Sequence, residues 1–402
     1  MIKMKRIICL LALCVLVCQK KECYGKEEVG NLYARGAVLM DGCSGRILYE
    51  KNGEEFLANA STTKILTCIL ALEQAALTDV VTVSAYAASM PDVQLHIKEG
   101  EQYYLEDLLY SLMLESHNDV AVAIAEHISG SQEAFSKLMN RKAEEIGCKN
   151  TCFLTPNGLD ATGVYGEKEV FHGTTAGDLA LIMRYCIRLS PKKEEFLRIT
   201  GTAEHSFTNI DRSRNFYCRN HNAFLHMMEG VISGKTGFTG KAGYCYVGAL
   251  ERDGRSYIVA LLACGWPGNK NYKWSDCRNL MEYGLENYQL FSLEQLESSY
   301  INELITTVEN AKRENMTEEA EIPLIRKKSE IEEVLLKDEE QITVEIMKNK
   351  LVAPVEEHQQ AGMLIYYIDD KKWMEESLIC KENAEKTDYK WCLGQIIQKI
   401  IH

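Results

Sequence analysis

The chain has no excess of basic residues, no apolar run long enough to cross a bilayer, no Cys-x-x-Cys pair and no internal repeat. Each absence excludes something. With 45 Lys+Arg against 58 Asp+Glu the net charge is -13, which excludes nucleic acid as a partner because phosphate binding wants a basic face. The N-terminal apolar run from Ile7 to Cys18 has 12 residues, where a span needs about 20. Preceded by Lys3, Lys5 and Arg6 and followed by polar residues and Gly25, it reads as a signal peptide over 1–25. Without a Cys-x-x-Cys pair there is no zinc or redox motif, and neither metal nor cofactor is expected. Four of the 15 cysteines lie in the leader, leaving 15 - 4 = 11. Cys68, Cys186, Cys245 and Cys264 sit in apolar runs and read as small buried hydrophobes. Cys148 and Cys152 are spaced for a local bridge. An exported chain this rich in thiols suits a reducing exterior.

What remains is an ordinary globular composition, 46% hydrophobic and 26% charged over 402 residues, enough for two to three domains of about 150 residues each. Residues 36–52 alternate as a hairpin around Gly42-Cys43-Ser44-Gly45. From Ser61 to about Ala76 the chain is apolar nearly all round, the pattern of a buried helix. Helical periods follow at Leu105–Leu114, Asn118–His127 and Glu133–Ile146, the last opened by Ser131 and closed by Gly147. Strands return at Tyr244–Ala249 and Ser256–Cys264, and helix runs on to Tyr288. Strands at both ends of a helical middle predict an α+β fold, the helical middle packed against a mixed antiparallel sheet. Residues 30–288 form this first domain. Residues 301–402 carry 22 Asp+Glu against 14 Lys+Arg and hold short alternating segments, which predicts a small β domain over 289–385. The charge-rich stretch from Glu309 to Glu333 reads equally as a linker.

Three short motifs carry chemistry. Ser61-Thr62-Thr63-Lys64 puts a hydroxyl and an amine one helical turn apart on one face. An amine buried beside a second cation has its neutral form favoured, and can then activate the hydroxyl as a nucleophile. Alone this spacing is weak, since Ser190-Pro191-Lys192-Lys193 repeats it in a charged loop. Ser116-His117-Asn118 lies between helices and offers a hydroxyl to relay a proton and a carboxamide to hold a substrate amide. Lys235-Thr236-Gly237 heads a strand, where Lys235 supplies the second cation, Thr236 a hydroxyl for a carboxylate, and Gly237 a bare backbone for an extended substrate.

The three motifs in this order mark penicillin-binding proteins and class A β-lactamases. With Asn157-Gly158-Leu159, Gly234 to Thr239, Ala242 to Cys245 and Tyr283-Gly284, the sequence resembles the serine D-alanyl-D-alanine carboxypeptidases of S11 type. Ala353-Pro354-Val355 and Gly362 extend the likeness into that family's C-terminal β domain. The resemblance implies a penicillin-binding/β-lactamase-like fold and an acyl-enzyme reaction on peptidoglycan stem peptides. In it Ser61 is the nucleophile, Lys64 its base, and Ser116 and Asn118 complete the catalytic set. Lys235, Thr236 and Gly237 bind substrate, the oxyanion rests on the backbone N–H groups of Ser61 and Phe238, and β-lactams inhibit. Lys273 stands eleven residues before Gly284, where the family commonly has an arginine for the terminal carboxylate. His117 replaces a small residue and is given no catalytic role, and Glu115 reads as structural or solvated.

A class A β-lactamase needs a Glu-x-x-x-Asn loop between the second and third motifs, and none occurs between Asn118 and Lys235. A transpeptidase of the same fold, which passes the acyl group to an amine, carries the same motifs and stays open. A non-catalytic surface module would fit a chain that had lost Ser61, Lys64 or Lys235, and all three are present. Over 386–402, Tyr389, Cys392, Leu393, Ile396, Ile397, Ile400 and Ile401 recur at helical spacing, with Lys386, Lys390 and Lys399 against Asp388 alone. That predicts an amphipathic helix for an anionic membrane surface, here the outer face of the cytoplasmic membrane.

Overall fold

The computed structural model describes residues 28–165, 168–313, 319–327, 329 and 331–401. The expected signal peptide lies outside the described residues. Five strands form one sheet: β1 (Gly36–Asp41), β2 (Ile47–Lys51), β3 (Val231–Thr239), β4 (Gly243–Arg252) and β5 (Arg255–Leu262), in the order β2-β1-β5-β4-β3. Every pairing in this sheet is antiparallel, as expected. Hairpins join β1 to β2, β3 to β4 and β4 to β5, and β1 returns against β5 in the opposite sense.

Both faces of this sheet are covered, so β1 is buried along its whole length and reads as a continuous apolar run. Val38, Met40, Val247, Ile258 and Ala260 face the helical middle. Their alternating neighbours Leu39, Tyr246, Leu250, Tyr257 and Val259 face a second core with Cys277, Leu280 and Met281. The helical middle centres on α1 (Lys64–Gln74), buried from Lys64 through Leu72. Around it lie α2 (Leu105–Leu114), α3 (Asn118–Ser129), α4 (Gln132–Ile146), α5 (Ala176–Arg184) and α6 (Lys193–Gly201), while α7 (Tyr272–Asn287) covers the other face. The Ser131 hydroxyl caps α4 by accepting from Ala134 N at 3.1 Å, and Gly147 ends it with φ 100°.

The C-terminal part is a six-stranded sheet in the spatial order 342–348, 360–368, 371–380, 320–326, 305–309 and 351–352, with its own core. The stretch read as a linker is therefore corrected in part. Ala320–Arg326 is an interior strand because Ala320, Ile322 and Leu324 alternate inward. Gln289–Ser292 pairs with Glu333–Leu336 at the joint. There Asp41 accepts from Leu335 N at 3.0 Å, and Arg46 donates to Leu335 O at 2.8 Å while pairing with Glu340. The 11 described cysteines are all free, so Cys148 and Cys152 form no bridge. Helix α8 (Tyr389–Ile401) ends the described chain with Tyr389 80% and Ile400 77% exposed. Among the described residues no helix is long and apolar enough to cross a membrane.

Candidate active site

Ser61 lies in a single 3-10 turn, Ala60–Thr63, that leads straight into α1. The turn is held from below by its own side chains. Thr62 and Thr63 donate to the Asn59 and Ala60 carbonyls at 2.7 and 2.8 Å, and the Asn59 amide donates to both hydroxyls. Ala60 has φ 49°, a left-handed value that a non-glycine residue adopts only where its surroundings over-determine it. Two glycines make that surrounding. A Cβ on Gly158 would lie 2.0 Å from the Ala60 carbonyl oxygen, and one on Gly237 would lie 3.0 Å from Ser61 N. The third motif and the 157–158 turn thus close on the serine from two sides.

Lys64 follows one turn later and its amine is fully enclosed. Nζ lies 2.8 Å from Ser61 Oγ, 2.8 Å from Asn118 Oδ1 and 2.8 Å from the Asn157 carbonyl oxygen. The Asn118 amide group donates to the carbonyls of Pro91 and Asp92 at 3.2 and 3.0 Å, which fixes its oxygen toward Lys64. Burial first, and then the charge of Lys235, hold the Lys64 amine well below the ordinary lysine value of 10.5, with Asp119 opposing. No carboxylate touches the amine among the described residues. Asp119 is occupied by the N–H groups of Leu95, Ile97 and Val120.

Lys235, on β3, donates to Ser116 Oγ at 2.9 Å and to the Thr236 carbonyl at 3.0 Å. Burial lowers it to about 7. Ser116 has φ 70° in the three-residue connection between α2 and α3. Ser61, Lys64, Ser116, Asn118, Lys235 and Gly237 are therefore brought into one cluster. Thr236 takes part through its carbonyl. Phe238 is 42% exposed with its ring 4.6 Å from that of Tyr244.

Lys273 is joined to this group only indirectly. From α7 its amine donates to the Lys270 carbonyl and lies 4.7 and 4.6 Å from the ring centres of Tyr244 and Trp274. His117 is buried, bonded to Ser111 Oγ at 2.7 Å and lowered to about 3, mainly by burial. It is a packed residue. The rival Ser190 donates to Glu73 at 2.6 Å, away from any such cluster.

Two contributors carried no signal in the sequence. The Asn157 carbonyl accepts from Lys64 and from Ser61, the latter at 3.4 Å. His172 bonds Thr63 Oγ1 through Nε2 at 2.8 Å and accepts Leu154 N at Nδ1 at 3.0 Å. It ties the serine turn to the loop that presents Asn157. Asn157 stands within a matched motif, but a backbone oxygen has no letter of its own.

Residues 24–264 match the family described as D-alanyl-D-alanine carboxypeptidase, and residues 306–386 match the penicillin-binding protein 5 C-terminal domain. The chain is 30% identical over 364 residues to D-alanyl-D-alanine carboxypeptidase DacF of Bacillus subtilis, covering 89% of this chain and 87% of the relative. To DacC of Escherichia coli it is 28% identical over 376 residues, 89% of this chain and 86% of the relative. Penicillin-binding protein 5 of Haemophilus influenzae superposes with a TM-score of 0.69 at 25% identity, over 89% of this chain and 98% of that one. Penicillin-binding protein D2 of Listeria monocytogenes in its ampicillin-bound form superposes with a TM-score of 0.53 at 27% identity, over 63% and 98%.

Proposed function

The chain belongs to the D-alanyl-D-alanine carboxypeptidase family of S11 serine peptidases, and on that premise we propose how its residues divide the reaction. The activity is hydrolysis of a terminal D-alanine from a D-Ala-D-Ala peptide. Peptidoglycan as substrate and β-lactam binding fit that family. In the proposed assignment Ser61 is the nucleophile and neutral Lys64 its base.

The observation that carries this is the set of three partners around Lys64 Nζ. Two of them, the Asn157 carbonyl and the Asn118 amide oxygen, are acceptors only. A neutral amine has two N–H bonds, which those oxygens take. Its lone pair is then left facing Ser61 Oγ. Lys64 removes the hydroxyl proton as Oγ bonds to the carbonyl carbon of the penultimate D-Ala. The carbonyl electron pair moves to oxygen, where the N–H groups of Ser61 and Phe238 receive it. As the carbonyl re-forms, the C–N bond breaks and the departing amine takes the proton from Lys64 through the Ser116 hydroxyl, which leaves Lys64 neutral. Water then attacks the ester, with Lys64 again the base, and restores Ser61. Lys235, Thr236 and Lys273 hold the terminal carboxylate, and Gly237 admits the extended peptide against β3.

The N-terminal segment 1–25 exports the protein, 30–288 and 289–385 are its two domains, and 386–402 holds it to the outer face of the cytoplasmic membrane. The outward Tyr389, Leu393, Ile396, Ile397 and Ile400 of α8 support that last point. Protein lacking residues 1–25, incubated with a stem pentapeptide and a fluorescent penicillin, is expected to release D-Ala and to carry one label, on Ser61. A label on Ser190, or labelling of Ser61→Ala, would refute the assignment. The same protein lacking residues 1–25 is expected to sediment with anionic vesicles at low salt, and truncation after Thr387 to release it with activity intact. Equal partitioning of both forms would make α8 a packing element only.

A further inference from the structure

Ser116 sits in the left-handed region at φ 70° and still keeps its hydroxyl 2.9 Å from Lys235 Nζ. A strained non-glycine residue returns to an ordinary conformation unless its neighbours forbid it. On its C-terminal side His117 is anchored to Ser111 and Asn118 N to the Val93 carbonyl at 2.7 Å. On its N-terminal side the anchor is Glu115. One carboxylate oxygen accepts the backbone N–H of Arg219 at 2.7 Å, and the other lies 3.1 Å from His221 Nε2. His221 N in turn donates to the Leu114 carbonyl at 3.1 Å.

The segment that Glu115 grips does not end there. Asn220 donates to the carbonyls of Thr200 and Thr202 at 2.9 and 2.8 Å, and the Thr200 hydroxyl is 2.8 Å from that of Ser233 on β3. Asn222 accepts the Tyr246 hydroxyl at 3.0 Å, and its amide nitrogen would be 2.7 Å from a Cβ on Gly234. Residues 219–222 therefore form a strap. One end fastens to the neighbour of Ser116, and the other reaches Ser233 through Thr200 and packs against Gly234, the two residues before Lys235.

We propose that Glu115, acting through the 219–222 strap, is a positioning residue that sets the Ser116–Lys235 contact. The proposal rests on the reading of Ser116 as the proton relay. Glu115 touches no reacting atom. Its carboxylate keeps the second motif in register with the third, so that the relay hydroxyl meets the leaving amine.

The test is a cycle of Glu115→Ala, Ser116→Ala and the double variant, followed by stopped-flow acylation with a fluorescent penicillin and by D-Ala release. Glu115→Ala is expected to lower the acylation rate constant about tenfold to a hundredfold, while the pre-acylation dissociation constant moves less than about threefold. Glu115→Gln, which keeps an acceptor for Arg219 N, should recover most of the rate. In the Ser116→Ala background, Glu115→Ala should cost nothing further, because residues acting as a unit are not additive. Additive losses, or a well-folded Glu115→Ala with wild-type acylation, overturn the proposal. Should Glu115→Ala fold poorly, His221→Ala changes a ring that is 60% exposed; it is expected to show the same dependence on Ser116, and its absence counts equally against the strap. Wild-type rates for Ser116→Ala itself would refute the relay, a separate failure from that of the positioning role.

Discussion

The two domains each bury cations and treat them in opposite ways. In the active site, Lys64 and Lys235 meet hydroxyls and carbonyl oxygens but, among the described residues, no carboxylate, and burial lowers both amines. In the C-terminal sheet Arg326 has a side chain only 5% exposed, yet Glu297, Glu332 and Glu376 lie 3.3 to 3.5 Å from its guanidinium. Burial works against its charge too, but the Tyr366 hydroxyl and Glu376 outweigh it and hold Arg326 above its ordinary value. A buried charge must be paired or given up. The C-terminal domain pairs it and obtains a fixed core. The active site gives it up at Lys64 and obtains a base.

The comparison breaks most sharply at Lys64. Lys64→Arg keeps a cation of similar length that cannot lose its proton. Acylation by penicillin is expected to fall about a thousandfold or more, as for Lys64→Ala, measured by label incorporation over time. Near-normal acylation by Lys64→Arg would remove the neutral-amine account. The reciprocal experiment removes the one fully buried partner of Arg326. Glu376→Ala leaves the guanidinium only the half-exposed Glu297 and Glu332 and takes the acceptor from the Tyr366 hydroxyl, and it is expected to cost about 2 kcal/mol of C-terminal domain stability, read from urea unfolding. Penicillin acylation should not change, since the active site is built from the other domain.

Those two regions were also unequally legible. Ser61, Lys64, Ser116, Asn118 and Lys235 announce themselves because each acts through its own side chain at a short, fixed spacing. The α+β order followed from hydrophobic period alone. The strand order of the sheet did not, because β1 and β5 pair across the whole helical middle. Arg326 and Glu376 stand 50 residues apart, and Arg326 falls in a charge-rich stretch whose inward alternation is confined to Ala320, Ile322 and Leu324. The Asn157 carbonyl and the Arg219 N–H are backbone groups, so no residue identity could point to them. Sequence spacing exposes side-chain chemistry well and long-range pairing poorly.

The pH profile sharpens the same contrast. Lys64 must be neutral, so kcat/KM should fall as pH drops and the amine takes a proton. Lys235 must be charged to attract the substrate carboxylate. At about 7 in the free enzyme, it loses that charge as pH rises, which gives kcat/KM for a pentapeptide an alkaline limb near pH 7. The bound carboxylate favours the charged amine, so the limb in kcat should lie higher. Lys235→Arg, always protonated, should abolish the limb while lowering the plateau. An unchanged limb in that variant would assign it to another group.

Lys273 is the intermediate case and carries the smallest expected effect. Its amine is lowered chiefly by burial, with the Cys264 thiol opposing, and what it touches is the Lys270 carbonyl and the rings of Tyr244 and Trp274. A ring face stabilises a cation by about 0.5 to 2 kcal/mol, less than an ion pair does, so the charge is held without being cancelled. Tyr244 packs against Phe238 with the two rings tilted by 37°, and the Phe238 backbone borders the proposed oxyanion site. From there Lys273 favours the terminal carboxylate of a peptide through its field, while a β-lactam relies on Lys235 and Thr236. Lys273→Ala is therefore expected to lower pentapeptide kcat/KM about threefold to tenfold, a loss on the scale of about 1 kcal/mol, and to change penicillin acylation less. Equal losses on the two substrates would place Lys273 with Arg326, as a cation that only supports the fold.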